Sequence, residues 1–275
     1  MKVEDAIKLM EQKQARFADC RFKLGDPAFG IGEYNKDHIP GAVYFDLERD
    51  LSGRVEKHGG RHPLPDPMAV RDKLVEYGIS NSTPIIAYDS GDGQYAARFV
   101  HILLYLGHKE VYLLNGGYRE WRAKGQPAET NIPVYGKSIY SIHLNHEIAA
   151  SYEEVKEIAG KAREDVILLD SREERRFLGI EEPIDKKAGR IPGALNEVWT
   201  HSLADGKYLE PDKQRDRFRS YDPKRQIIVY CGSGVTAAAN FIALKEAGYE
   251  KVKIYTGSYS DWISYEDNPV ECGSE

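Results

Sequence analysis

The chain has 275 residues, of which 41% are hydrophobic and 30% are charged, as in an ordinary globular protein with room for two domains. Its net charge of −6 argues against a general nucleic-acid binder, and no run approaches the roughly 18 apolar residues that cross a membrane. The polar N-terminus does not resemble a signal peptide, so we expect a cytoplasmic protein without nucleic-acid or membrane partners. Three scattered cysteines argue against a disulfide framework and a four-ligand zinc site, and we expect no metal.

Helices and strands alternate along the first half of the chain. The predicted elements are, in order, helix 4–17, helix 70–77, strand 84–88, helix 95–106 and strand 111–114. Before the second of these helices, residues 47–66 are charged and contain two adjacent glycines, which predicts an irregular excursion at the surface.

The second half of the chain repeats the first. Residues 170–172 resemble 19–21, 190–194 resemble 38–42, 227–231 resemble 85–89, and 256–262 resemble 115–121. Because these matches keep the same order, we infer a duplicated domain. We predict an α/β fold of two tandem domains, each a mostly parallel sheet flanked by helices, over residues 1–130 and 150–275. Residues 131–149 would form the linker between them.

Residues 226–239 contain the most distinctive candidate site. An apolar strand ends at Cys231, and a small loop with Gly232 and Gly234 leads into an alanine-rich helix. Such a turn directs several backbone N–H groups to one point at the positive end of a helix dipole, where a cysteine favours the thiolate. The alternative is a buried, inert cysteine at the end of a strand. We favour the reactive cysteine because the loop is suited to an anion.

Three kinds of chemistry compete for this loop. A dinucleotide site fits the spacing of Gly232, Gly234 and Ala237, but the acidic residue that binds the ribose is missing after the next strand. A cysteine phosphatase would need an arginine at position 237 to hold phosphate, but this position is Ala237, which argues against a phosphatase. Sulfur chemistry remains, in which the loop stabilises an anionic persulfide on Cys231 and no metal or organic cofactor is needed.

The sequence resembles the tandem-domain rhodanese-like sulfurtransferases, the family of thiosulfate sulfurtransferase and 3-mercaptopyruvate sulfurtransferase. The resemblance rests on the duplicated order and on residues 230–237 and 257–262, and it extends from about residue 4 to residue 270. It implies two rhodanese-like domains, of which the second is catalytic through Cys231. The first would be non-catalytic, since Asp89 stands at its cysteine position.

The resemblance also implies a reaction. Sulfane sulfur would pass through a Cys231 persulfide to a thiol, a thioredoxin or cyanide. Family members that prefer thiosulfate carry basic residues in the loop, whereas residues 232–236 contain none, so 3-mercaptopyruvate is the predicted donor. Thiosulfate:cyanide sulfurtransfer and a persulfide carrier without turnover, which hands sulfur to a protein partner, stay open as alternatives.

Further catalytic residues follow from the resemblance by motif match. In the mercaptopyruvate enzymes the loop serine, here Ser233, is linked to a histidine and an acid of the first domain. The matching positions are His62 and Glu48, although the family acid is usually aspartate.

The donor carboxylate needs a cation, and Arg176 matches the family's substrate arginine. A second substrate arginine is absent between residues 179 and 189, so Arg190 is the candidate for the missing charge. The loop itself would surround the donor through Gly232, Gly234, Val235 and Thr236.

Overall fold

The fold is described from a computed structural model that covers residues 1–13, 15–161 and 164–273. Its helices are α1 Val3–Lys13, α2 Phe29–Lys36, α3 Pro67–Glu76, α4 Gln94–Tyr105, α5 Gly117–Ala123, α6 Tyr152–Ile158, α7 Glu174–Phe177, α8 Pro211–Phe218, α9 Thr236–Glu246 and α10 Ser258–Trp262, with short 3-10 turns at His146–Ile148 and Trp199–Ser202. Its strands are β1 Arg16–Asp19, β2 Val43–Tyr44, β3 Ile85–Tyr88, β4 Val111–Leu113, β5 Ala149–Ala150, β6 Val166–Asp170, β7 Leu195–Asn196, β8 Leu203–Ala204, β9 Lys207–Tyr208, β10 Gln226–Tyr230 and β11 Val252–Tyr255.

The chain forms two compact units, each of which includes one short segment from the other half of the sequence. Unit 1 consists of Met1–Gly53, Pro65–Asn145 and Asp205–Tyr208; unit 2 consists of Arg54–Leu64, His146–Ala204 and the chain from Leu209 onward. The excursion predicted at 47–66 is therefore divided between the units. The domain boundaries given by the repeat stay a prediction.

Each unit is built on one parallel sheet. The strand order is β2-β1-β3-β4 in unit 1 and β5-β11-β10-β6-β7 in unit 2. Central strands such as β3 and β10 are runs of buried apolar residues, as parallel strands covered by helices require. These sheets confirm the predicted α/β class. Within the described part of the chain, no helix combines the length and apolar character needed to cross a membrane.

The predicted helix 4–17 is wrong at its C-terminal end. Helix α1 ends at Lys13, and the chain then forms β1, which pairs with β2 on one side and β3 on the other. Phe17 is 1% exposed and packs edge-on against Trp121, with ring centroids 5.2 Å apart. Sheet pairing and this core contact override the helical pattern of the preceding residues.

A buried ion pair closes the end of one interior strand in each sheet, β6 in unit 2 and β1 in unit 1. In unit 2, Asp170 accepts from Arg172 Nη2 at 2.6 Å and from Nε at 3.0 Å, and both side chains are almost fully buried. Burial acts to lower the pKa of Arg172, but the Asp170 carboxylate outweighs it and raises that pKa. The Arg172 guanidinium lies 4.0 Å from the ring centroid of Tyr259. Asp19 and Arg21 form the equivalent pair in unit 1, at 2.7 Å. Such a pair is costly to break, because one charge then stays buried without its partner.

We therefore expect Asp170→Asn to lower the free energy of unfolding by about 3 kcal/mol. The matched control is Asp212→Asn, which removes a carboxylate whose ion pair with Arg215 is exposed. That change should stay within about 0.5 kcal/mol. Urea denaturation of the two variants measures the difference, and equal losses would contradict the account.

Candidate active site

Cys231 lies at the carboxyl end of β10, where the chain turns into α9. The turn requires Gly234, whose φ of 81° is in the left-handed region that favours glycine. The Cys231 side chain is almost completely buried, and the Gly234 N–H donates to its Sγ at 3.1 Å. The sulfur is thus held beside the N-terminus of an 11-residue helix, where backbone N–H groups favour an anion.

Further N–H groups of the loop remain available. Those of Ser233, Val235 and Thr236 donate to no acceptor within residues 1–13, 15–161 and 164–273. A persulfide or a bound anion at Cys231 can therefore recruit them without breaking an existing bond.

In unit 1, the loop at the equivalent position surrounds a carboxylate of its own chain. Asp89 occupies the repeat position of Cys231, and its carboxylate accepts four N–H bonds of 2.9–3.3 Å, from Gly91, Gly93, Tyr95 and Ala96. Complete burial raises the pKa of Asp89, while these four bonds oppose that rise by stabilising the carboxylate. The repeat thus surrounds a carboxyl group with N–H donors in unit 1 at the place where unit 2 holds its thiol.

The first turn of α10 fixes the backbone beside Cys231. The Cys231 N–H donates to Ser258 Oγ at 3.2 Å, and the Cys231 carbonyl accepts from the Tyr259 N–H at 2.9 Å. The Gly232 carbonyl accepts from the Ser260 N–H at 3.0 Å. Ser258 itself has a φ of 57°, an unusual value for a residue other than glycine. These bonds explain why the repeated segment 257–262 accompanies the cysteine loop.

Residues 54–64 lie against α10 and form part of unit 2. The Gly59 N–H donates to Asp261 Oδ1 at 2.7 Å, and the Arg61 N–H donates to Ser260 Oγ at 3.1 Å. Gly60 has a φ of 81°, and a Cβ at this position would lie 2.3 Å from the carbonyl oxygen of Gly257. The close approach therefore requires glycine here and positions the next two side chains above the cysteine loop.

One of those side chains belongs to His62. Its Nδ1 lies 2.8 Å from Ser233 Oγ, and both residues are less than a tenth exposed. Cys231, Ser233 and His62 are thus brought together in unit 2. Glu48 belongs to unit 1, where its side chain is exposed and its N–H donates to Asp46 Oδ1 at 3.0 Å.

The other side chain is Arg61, which the sequence analysis missed as a site residue. A Cβ built on Gly232 would lie 2.9 Å from Arg61 Nη2 and 3.4 Å from Arg176 Nη2, so both guanidinium groups lie over this glycine. Burial lowers the pKa of Arg61, and the charge on Cys231 acts in the opposite direction. Arginine stays protonated at such a site and stabilises a thiolate. The signal that could have found Arg61 is its position directly before His62.

Two buried carboxylates accompany these arginines. Glu182 accepts from Arg176 through both oxygens, at 2.7 and 3.0 Å. Asp185 accepts from Arg176 at 3.0 Å and forms a close ion pair with Arg61 Nη1. Both carboxylates are only 3% exposed. The positive charge over the cysteine loop is therefore balanced within the chain.

Arg190 is not brought to the cysteine loop. Its Nη1 donates to the Gly273 carbonyl at 2.8 Å, and its backbone bridges that of Glu271. Its guanidinium lies 4.3 Å from the ring centroid of Phe177. Arg190 therefore attaches the C-terminal segment, while Arg61 and Arg176 provide the guanidinium groups beside Gly232.

This arrangement suits nucleophilic sulfur chemistry on an anionic substrate. A thiol held by N–H donors is activated as a thiolate, a hydroxyl–imidazole pair can move a proton, and two guanidinium groups can orient a carboxylate. No group of three or more His, Cys, Asp and Glu residues in the described parts of the chain is arranged to hold a metal ion.

A methyl group at position 232 should disturb the Arg61 guanidinium beside the cysteine loop. Gly232→Ala would push the Arg61 guanidinium away, because the new Cβ lies 2.9 Å from Arg61 Nη2, whereas Arg176 Nη2, at 3.4 Å, stays in ordinary contact. We expect alkylation of Cys231 by anionic iodoacetate to fall about tenfold relative to neutral iodoacetamide, since the lost attraction acts only on the anion. Peptide mass spectrometry at Cys231 measures both rates.

The matched control is Gly32→Ala in α2, where a Cβ meets nothing within 4 Å. This variant should leave the ratio of the two alkylation rates unchanged. An unchanged ratio in Gly232→Ala would show that Arg61 does not attract an anion to the cysteine loop.

Comparison with known proteins relates both halves to one family. A family profile described as "Rhodanese-like domain" matches residues 2–124 and 151–265. The chain is 39% identical over 261 residues to a protein of Pseudomonas aeruginosa named "Probable 3-mercaptopyruvate sulfurtransferase", covering 93% of this chain and 91% of that protein. It is 33% identical over 260 residues to "Putative thiosulfate sulfurtransferase SseB" of Mycobacterium tuberculosis, covering 93% and 90%.

A solved structure is also similar. The 3-mercaptopyruvate sulfurtransferase SseA from Escherichia coli superimposes with a TM-score of 0.82 at 28% sequence identity. The match covers 94% of this chain and 98% of that protein. The likeness therefore extends over both units and is not confined to one of them.

Proposed function

The chain belongs to the rhodanese-like family, and we propose that it is a sulfurtransferase that moves sulfur from 3-mercaptopyruvate to a thiol or cyanide through a persulfide on Cys231. The observation that carries this proposal is the Cys231 loop, in which a nearly buried thiol meets N–H donors and two guanidinium groups. The relative from Pseudomonas aeruginosa, named a probable 3-mercaptopyruvate sulfurtransferase, supports the donor.

In the first half-reaction, the Cys231 thiolate attacks the sulfur of 3-mercaptopyruvate. A sulfur–sulfur bond forms, the carbon–sulfur bond breaks, and its electron pair passes to carbon as the enolate of pyruvate. The proton carried by the donor thiol is transferred to that carbon, which leaves pyruvate and an anionic persulfide. The helix N-terminus and the loop N–H groups stabilise the negative charge before and after the step.

Ser233 and His62 are proposed to carry the proton. The distance of 2.8 Å between His62 Nδ1 and Ser233 Oγ supports a relay in which the hydroxyl faces the departing enolate and the imidazole restores its proton. Glu48 remains a proposal from the family motif as the acid of this relay. Arg176, with Arg61 beside it, would orient the donor carboxylate.

The choice of donor rests on the charge of the loop. Residues 232–236 contain no lysine or arginine, which favours a singly charged keto acid over the compact dianion thiosulfate. Thiosulfate stays the second candidate because the relative from Mycobacterium tuberculosis is named a putative thiosulfate sulfurtransferase. In the second half-reaction a thiol, a reduced thioredoxin or cyanide attacks the outer sulfur and regenerates the Cys231 thiolate. Three free cysteines fit a reducing compartment, which supports a cytoplasmic location.

Cys231→Ser tests the covalent mechanism. Serine lacks a comparable nucleophile, so we expect turnover with 3-mercaptopyruvate and with thiosulfate to fall at least about 1000-fold. Steady-state assays with both donors on the wild-type protein test the donor at the same time. Substantial activity in Cys231→Ser would exclude the persulfide, and a clear wild-type preference for thiosulfate would overturn the donor assignment. A persulfide that forms without repeated turnover would indicate a carrier.

The proton relay predicts an effect that depends on the donor. We expect Ser233→Ala and His62→Gln each to lower kcat with 3-mercaptopyruvate by about 100-fold, because the enolate loses its proton source. With thiosulfate the change should stay within about threefold, since sulfite leaves without a proton on carbon. The double variant should be no worse than either single variant, because the two residues act as one unit.

The matched control for the relay is His201→Gln, which changes an exposed histidine of unit 2. Its kinetics with both donors should equal those of the wild-type protein. Equal losses with both donors in Ser233→Ala and His62→Gln would contradict the relay and indicate a structural role for the pair.

A further inference from the structure

Asp185 occupies a position that the proposed mechanism assigns to the substrate. Its carboxylate contacts the guanidinium groups of both Arg61 and Arg176, the pair that would receive the donor carboxylate. One of its oxygens lies 3.5 Å from a Cβ built on Gly232, the residue directly after the nucleophile. With its side chain only 3% exposed, Asp185 is enclosed in the site rather than bound at its rim.

Glu182 makes Asp185 dispensable for holding Arg176. It accepts from Arg176 at 2.7 and 3.0 Å and from Arg172 at 3.2 Å. Glu182 also accepts the N–H groups of Ile184 and Asp185, at 3.0 and 2.9 Å, and so folds the turn that presents Asp185. The turn and Arg176 would therefore keep their shape if the Asp185 side chain lost its charge.

We propose that Asp185 is an internal competitor that the donor carboxylate must displace from the Arg61–Arg176 pair, and that it determines which anions the site accepts. This inference rests on the proposed function of the Cys231 site. An ion pair formed within the chain keeps the guanidinium groups together before the donor arrives. Each donor then binds more weakly, because it must first break the contacts between Asp185 and the two arginines.

The charge of Asp185 implies a preferred class of substrate. When the carboxylate of a monoanionic substrate replaces that of Asp185 on the arginines, the charge and the planar geometry of the acceptor stay the same. A dianion brings one charge more, and the displaced Asp185 carboxylate stays attached to the chain nearby. Repulsion between like charges therefore acts about twice as strongly on a dianion as on a monoanion.

Anion binding tests the proposal without turnover. In the Cys231→Ser protein, we expect Asp185→Asn to tighten the binding of pyruvate about tenfold and that of sulfate by more, up to about a hundredfold. Calorimetric titration gives both dissociation constants. In the protein that retains Cys231, Asp185→Asn should lower KM for 3-mercaptopyruvate about tenfold, with kcat changed by less than about threefold.

Two control variants distinguish the effect of the Asp185 charge from that of other carboxylates near the site. Glu181→Gln removes the neighbouring carboxylate that pairs with exposed Arg175, and both dissociation constants should stay within about twofold. Asp185→Glu keeps the charge, so its pyruvate binding should remain weak. Thermal unfolding of each variant checks that the fold is intact, and Asp185→Ala replaces Asp185→Asn if the amide destabilises the turn.

Unchanged or weaker pyruvate binding in both uncharged variants would overturn the proposal and would identify Asp185 as a support for the arginines. An equal gain for sulfate and pyruvate would overturn the assignment of substrate class. Failure of the proposed function is a different result, in which the wild-type protein transfers sulfur from neither donor. The binding measurements still decide the role of Asp185 in that case, because they need no reaction.

Discussion

The proposed function requires a negative charge on the nearly buried sulfur of Cys231, and this is the constraint on which the rest of the site depends. Burying an isolated charge costs free energy, so the chain must stabilise the thiolate with hydrogen-bond donors and positive charges that leave it free to react. It does so with the N-terminus of α9, with the Gly234 N–H and with the guanidinium groups of Arg61 and Arg176. Glycine at position 232 allows Arg61 to approach this closely, because a Cβ there would lie 2.9 Å from its Nη2.

A comparison of the cysteines shows how much depends on those partners. Cys20 is as deeply buried as Cys231, at 1% exposed, and it follows the end of β1. Burial raises its pKa well above the usual range, and the nearby charges of Asp19 and Asp89 add to that effect. Cys20 therefore stays a protonated thiol of the core. Position at a strand end does not make a cysteine reactive; the charges and N–H groups around it do.

The duplication explains why one unit is reactive and the other is not. In unit 1 four N–H groups of the loop are directed at the carboxylate of Asp89, which carries no transferable atom. In unit 2 Cys231 takes that place, and the loop can stabilise a charge that appears and disappears during a reaction. The same backbone physics thus serves stability in unit 1 and, in the proposed function, chemistry in unit 2.

Local patterns and the repeat predicted the fold class and the loop around Cys231, because strand composition and glycine positions act over a few residues. They could not predict Arg61. Its place depends on the bond between the Gly59 N–H and Asp261, two residues about 200 positions apart in the chain. The same limit applies to Arg190. Its position in the motif suggested a cation for the substrate, but its guanidinium binds the C-terminal segment through the Gly273 carbonyl. Only a family resemblance pointed to His62.

The central claim is that Cys231 carries the transferred sulfur. Treatment with 3-mercaptopyruvate, followed by peptide mass spectrometry under non-reducing conditions, tests it most directly. We expect one added sulfur atom on the peptide that contains Cys231 and none on those with Cys20 or Cys272, and we expect cyanide to remove it. Sulfur found on another cysteine, or turnover without any sulfur bound to the protein, would contradict it.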